Sequence, residues 1–265
     1  MSGFSIDWLD LREPADFAAR DKKLAARVIQ WLMADRDIAP VIVDLGAGTG
    51  STLRALTQLG ATKCIWRLVD HDPALLNEAL RRHARDESVE DYEADLRHPE
   101  ELPLGGITLL SASALFDLVS AQIVDALVER VSQQHCAVYA ALNYDGRTQW
   151  SPAHALDQAV LEAFNLDQRR DKGLGPALGP QSPAYLETAL QSAGYSVHTA
   201  DSPWLLDGRH AAMVTALIHG IHDAVCDGYG LDQSALADWK RFRLSHVADG
   251  TCLVGHVDVL ALPAH

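Results

Sequence analysis

Gly46-Ala47-Gly48-Thr49-Gly50 alternates glycine with small side chains directly behind Asp44. Alternating glycines let backbone approach a ligand where any Cβ would intrude. A helix opening behind them offers unpaired N–H groups and a partial positive charge. Together these suit a nucleotide-like ligand. Asp70 follows at about 20 residues, the spacing at which a carboxylate can accept both hydroxyls of a ribose. The alternative for Asp70 is a plain helix cap, a role that Asp72 before Pro73 already fits. The dinucleotide fingerprint G-x-G-x-x-G is not met, because its third position is Ser51 and the glycine stands at Gly50.

A strand and a helix must hold such a turn. Residues 41–45 form a β-branched apolar run and residues 52–59 an apolar-periodic one, so the segment reads strand, turn, helix. Further strands are expected at 64–70, 89–96, 106–112, 135–143, 195–200 and 251–262. Helices are expected at 15–33, 73–85, 118–131, 151–164, 182–193, 210–227 and 232–247. This alternation predicts a doubly wound, mostly parallel α/β sheet, with the last two helices inserted before the final strand.

The pattern D-x-G-x-G-x-G from Asp44 to Gly50, with Asp70 and then Asp95-Leu96 behind the second and third strands, resembles the class I S-adenosylmethionine (SAM)-dependent methyltransferases over residues 41–143. The resemblance implies a seven-stranded sheet, SAM as cofactor and S-adenosylhomocysteine as product. It places Asp44, Gly46, Ala47, Gly48, Gly50, Asp70, His71, Asp95, Leu96 and Ser111 around the cofactor, with Asp95 toward the adenine amino group. It also makes the N-terminal helix a lid whose Arg20 meets the SAM carboxylate; otherwise Arg20 is a solvated charge on a helix face. The turn Ser113–Asp117 faces the reacting methyl in that layout, and it lacks the [DN]-P-P-[YF] sequence of amino-methylating nucleic-acid enzymes.

Methyl transfer from a sulfonium is an in-line displacement, so positioning of the acceptor dominates, and a hydroxyl acceptor also needs a base. Asp117, Tyr144 and Asp145 are the candidate bases, although Asp117 could equally cap the following helix. Residues 144–150 read as a loop at the sheet's carboxyl edge, where Arg147 and Trp150 would contact substrate. Gly173, Gly175 and Gly179 with Pro176 and Pro180 suggest a second lid. Its Arg169, Arg170 and Lys172 would face an anionic substrate group or the SAM carboxylate, unless the segment is only a connecting loop.

The chain of 265 residues suits one domain: a lid at 1–36, a cofactor core at 37–143, a substrate segment at 144–181 and a remainder carrying the insertion 202–249. A net charge of −14 disfavours nucleic acid. The longest apolar run is too short for a membrane. Four scattered cysteines look like reduced core residues, and the acidic first ten residues show no signal peptide, so a cytoplasmic monomer or homodimer is expected. His219, His222, Asp223 and Cys226 share a helix face, but one helix cannot wrap an ion, and no metal is expected. The function read from the sequence is methyl transfer to oxygen or nitrogen of a small molecule. The alternatives are a SAM-binding protein without transfer, a protein or RNA methyltransferase, and an NAD-dependent oxidoreductase.

Overall fold

A computed structural model describes residues 4–34, 38–83 and 88–264. The expected lid boundary at 36/37 and the expected helix end at Arg85 lie outside them. Eight strands form one sheet: β1 Val41–Leu45, β2 Ile65–Asp70, β3 Val89–Glu93, β4 Leu109–Ser113, β5 Ala137–Ser151, β6 Tyr195–Asp201, β7 Trp204–Leu206 and β8 Thr251–Pro263. Their order is β3-β2-β1-β4-β5-β8-β6, with β7 also on β8. The first five run parallel, and β8 runs antiparallel to β5, β6 and β7. The expected seven strands become eight because Trp204–Leu206 pairs with the outer end of β8.

Central parallel strands are covered on both faces, so they read as apolar runs. On one face Val43, Leu45, Leu110 and Val138 pack under α5 (Ala121–Gln134) and α7 (Ser182–Ser192). On the other Ile42, Leu68, Leu109 and Tyr139 pack under α2 (Lys22–Leu32), α3 (Ser51–Gln58) and α4 (Pro73–Arg82). Successive residues of one strand thus feed different cores.

A third core lies beyond the carboxyl edge of the parallel strands. β4 stops with Ser113 opposite Ala141, whereas β5 and β8 continue together from Tyr144 opposite His256 to Ser151 opposite Thr251. This ribbon carries Tyr144, Cys252 and Val254 into a cluster with Trp204 of β7. The cluster also takes residues of α1 (Ile6–Ala19), α6 (Asp157–Asp167), α8 (Ala211–Val225) and α9 (Gln233–Ser245). The expected loop at 144–150 is therefore strand, because β8 supplies partners as far as Thr251, and α6 starts at Asp157 rather than near Ser151. The helices expected between the last strands form this cap.

The single helix expected at 15–33 is two. Ser5 caps α1, while the Asp21 carboxylate accepts from the amides of Lys23 and Leu24 and starts α2 anew, leaving Arg20 extended between them (φ −52, ψ 133). Among the described residues no helix is long and apolar enough to cross a membrane.

Candidate active site

Gly46, Gly48 and Gly50 all take positive φ, at 62, 54 and 83 degrees, which favours glycine. Gly50 is the N-cap of α3, so no side chain satisfies the first amides of that helix. The Asp70 carboxylate ties the turn to β2: one oxygen accepts from the Gly48 amide at 2.9 Å and the other from the Asp72 amide at 3.0 Å. His71 stands half exposed with Nδ1 3.2 Å from Asp70. Ala47 is buried and its amide donates to Val69.

Beneath the turn lies a buried polar cluster. Asp44 is 1% exposed and its Oδ1 accepts from Ser111 Oγ at 2.6 Å, but its Oδ2 has no hydrogen-bond partner. Burial pushes its pKa up to about 7 against the pull of Ser111 and Arg20. Arg20 is 5% exposed; its Nη2 donates to Ser113 Oγ at 2.7 Å, while Nε and Nη1 have no partner. Burial opposes the charge of Arg20, yet the fields of Tyr139 and Asp258 hold its pKa above the ordinary value. Asp258, fully buried, accepts from the amides of Asp21 and Leu142 and from the Tyr139 hydroxyl, fixing the junction of α1 and α2 above β8. Ser111 touches the cluster through Asp44, and Ser113 Oγ also lies 3.2 Å from Thr52 Oγ1 in the first turn of α3.

Helix α1 roofs the turn. A Cβ on Gly48 would lie 3.1 Å from Leu9 Cδ1, and one on Gly46 3.1 Å from Leu115 Cδ1. Glu13 meets Arg54 through two bonds of 2.5 and 2.7 Å, and Asp10 meets Arg82 through two of 2.6 and 2.9 Å. Arg54 also donates to the Thr49 carbonyl.

Beyond the ends of β4 and β5, Asp117 is 8% exposed with Oδ1 unpartnered. Burial raises its pKa to about 6, moderated by backbone amides and by the charges of Arg12 and Lys172. On β8, opposite Tyr144, stands His256, also buried, its ring centroid 4.7 Å from that of Trp204 and 6.2 Å from that of Tyr144. Its Nδ1 has no partner, and burial together with Arg12 lowers its pKa to about 3, so the imidazole is neutral. Arg12 lies over the Trp204 ring at 4.9 Å and is held by Asp16 through two bonds of 2.8 and 3.2 Å.

Arg20, Asp44, the glycines, Asp70, Asp117 and Tyr144 thus meet at one edge of the sheet. Other expected residues are placed elsewhere. The Tyr144 hydroxyl donates to Asn165 at 2.8 Å, and burial raises its pKa. Asp145 accepts from the amide and Nε of Arg147 and lies against Gly255; Arg147, half exposed, also reaches Asp201. Strand alternation turns this pair to the outer side of the ribbon. Trp150 packs edge-on to Trp239 under Arg243, inside the cap. Lys172 and Arg170 serve the buried Asp167, at 3.0 and 3.5 Å, and Arg169 lies against Gly179. A buried carboxylate needs such partners. Asp95 is bonded to Arg97 by its amide and guanidinium, which lower its pKa, and Leu96 joins the core.

Arg12, Ser113, Trp204, His256 and Asp258 were not among the expected residues. For the last two a signal exists: His256 and Asp258 are polar, two apart and inward in an otherwise apolar strand.

No protein-family model matches the chain, and no curated protein matches its sequence. Solved structures do resemble it. A geranyl diphosphate methyltransferase in complex with GPP and sinefungin shares 13% identity over 91% of this chain and 78% of its own, at a TM-score of 0.51. A SAM-dependent methyltransferase from Thiobacillus denitrificans, in complex with S-adenosyl-L-homocysteine, shares 13% over 98% and 99%, at 0.49. Human N-acetylserotonin methyltransferase, in complex with SAM, shares 13% over 97% of this chain and 53% of its own, at 0.47. The chain thus spans about half the length of the human one. Strand order, glycine turn and this likeness together give the chain the fold of the class I SAM-dependent methyltransferases.

Proposed function

We propose that the protein is a SAM-dependent methyltransferase acting on oxygen or nitrogen of a small molecule in the cytoplasm. The observation that carries this reading is the pair of opposite, buried and incompletely partnered groups beneath the turn: Arg20 Nε and Nη1, and Asp44 Oδ2. Buried polar atoms without partners are costly, so such groups persist where a ligand completes them. An amino-acid end fits both, its carboxylate toward Arg20 and its ammonium toward Asp44. Asp70, tied to the glycine turn, would accept the ribose hydroxyls, and the open amides of α3 would complete the cradle. Asp95 and Leu96 would meet the adenine once Arg97 shifts. Bound there, SAM supplies a methyl group on a positively charged sulfur.

The remaining residues position the acceptor and exclude water. Helix α1 closes over the turn through Leu9 and two ion pairs, a lid that must release for exchange. Asp117 faces the acceptor: it takes the proton of a hydroxyl, or balances the charge that grows on an amine. Tyr144, Trp204 and His256 form the cap-side wall.

Titration calorimetry with S-adenosylhomocysteine tests the reading. Binding with one site per chain is the expected result, and no binding refutes it. Turnover of SAM over a metabolite panel separates a transferase from a protein that only binds the cofactor.

A further inference from the structure

We infer that the methyl acceptor is an amine, a conclusion that rests on the proposed methyl-transfer reading and narrows it. The reasoning is a balance of charge around the acceptor end of the site. Among the described residues, Arg12 and Lys172 are the cations whose charge reaches Asp117, and each already has an internal anion, while Arg20 is taken by the SAM carboxylate in that reading. From α1, Arg12 is held by both oxygens of Asp16. From the segment after α6, Lys172 stands 3.0 Å from Asp167. From β8, His256 is buried and neutral.

Asp117 is left over. Among the described residues near it, none makes an ion pair with it, its side chain is more than nine-tenths buried, and its Oδ1 lacks a hydrogen-bond donor. The space therefore carries one buried carboxylate without an ion-pair partner and one unfilled acceptor. A substrate carboxylate or phosphate there would face that carboxylate with no cation free beyond Arg20, which disfavours anions. A group that brings N–H donors and positive charge completes it. The whole chain, at −14, draws cations toward itself as well.

The chemistry closes on the same residue. The amine binds as the ammonium and loses one proton to solvent before transfer, which frees the nitrogen lone pair. Its lone pair forms the new N–C bond as the donor's C–S bond breaks and that electron pair returns to sulfur. The positive charge leaves sulfur and appears on nitrogen, beside the Asp117 carboxylate. No proton need move in that step, so Asp117 stabilises the product charge where it develops. A hydroxyl acceptor would instead require Asp117 to take a proton.

Matched probes distinguish the classes. Benzylamine, phenethylamine and butylamine, their alcohols and their carboxylates are titrated against the protein loaded with S-adenosylhomocysteine, reading thermal shift and calorimetric affinity, and each is tried as acceptor with labelled SAM. Amines are expected to bind at least about tenfold tighter than the alcohols and to be methylated. In Asp117→Asn that preference is expected to vanish while S-adenosylhomocysteine affinity stays within about threefold of wild type, which also shows the variant folded. Preference for alcohols or carboxylates, no binding by any probe, or an amine preference that survives in Asp117→Asn overturns the inference. If the wild-type protein binds no S-adenosylhomocysteine, the methyl-transfer reading falls first.

Discussion

Replacing Arg20 with methionine should lower stability, and should lower affinity only for ligands that carry an amino-acid end. In the free protein the guanidinium is 5% exposed, makes one hydrogen bond to Ser113 and leaves two nitrogens unsatisfied. Burial opposes the charge, yet Tyr139 and Asp258 hold it in place, so its removal leaves the buried Asp258 and Asp44 without their cation and costs about 3–5 kcal/mol. Two amides and the Tyr139 hydroxyl still reach Asp258. In a domain of this size the melting temperature should fall by about 6–20 °C. With ligand, the two free nitrogens would make two hydrogen bonds to a carboxylate, worth about 1.5 kcal/mol each. Their loss, about 3 kcal/mol, weakens S-adenosylhomocysteine roughly 150-fold. Differential scanning calorimetry and titration calorimetry on the same samples give both numbers. 5′-Methylthioadenosine, which lacks the amino-acid end, should bind wild type and variant alike. If Arg20→Met keeps S-adenosylhomocysteine affinity within about threefold, or weakens both ligands equally, Arg20 does not hold the carboxylate.

Protonation of Asp44 should act similarly on binding. With its pKa raised to about 7, S-adenosylhomocysteine affinity should fall as pH drops through 7, and calorimetry in Asp44→Asn should show a flat profile. Because the folded pKa lies above the unfolded value, the same group favours the free protein at low pH, and that contribution fades as pH rises from about 4 through 7; melting curves of wild type against Asp44→Asn test this opposite slope. The pairs Glu13–Arg54 and Asp10–Arg82 are partly exposed and worth about 0.5–1 kcal/mol each. Arg54→Gln with Arg82→Gln should therefore speed S-adenosylhomocysteine release about 5- to 30-fold in stopped-flow measurements, and high salt should do the same to wild type. Gly48→Val adds left-handed strain of about 1–2 kcal/mol and strikes Leu9, so ligand binding should disappear while the melted fraction at 25 °C stays small by circular dichroism.

The parallel core was legible because its signals are local. The run 41–45, the glycines behind it and the Asp72-Pro73 cap each decide their own backbone, and β1, α3 and α4 follow them closely. The ribbon was not. Tyr144-Asp145-Gly146-Arg147 has turn composition, and only the partner strand more than a hundred residues later makes it β. The break at Arg20 was signalled by Asp21 as an N-cap, but the apolar spacing on either side is continuous enough to mask it. Pairing misled more than placement did: Arg147, Arg170 and Lys172 look like ligands in sequence, and each has a carboxylate within the fold. Conversely, Arg20 and Asp44 gain meaning only from atoms that the fold leaves unpaired.

The ribbon also decides what can move. A lid hung on a loop swings at the loop's ends, but here the cap grows from two paired strands that continue out of the cofactor sheet past two bulges, with Asp258 and Leu142 bonded at their root. The cap is thus rigidly fused to the floor of the site, and among the described elements α1 is left as the door. Such an arrangement separates inheritance of the two halves of the reaction. Side chains on the inner ribbon can drift toward a new acceptor without loosening the cofactor bed, because paired strands rather than a loop join the two.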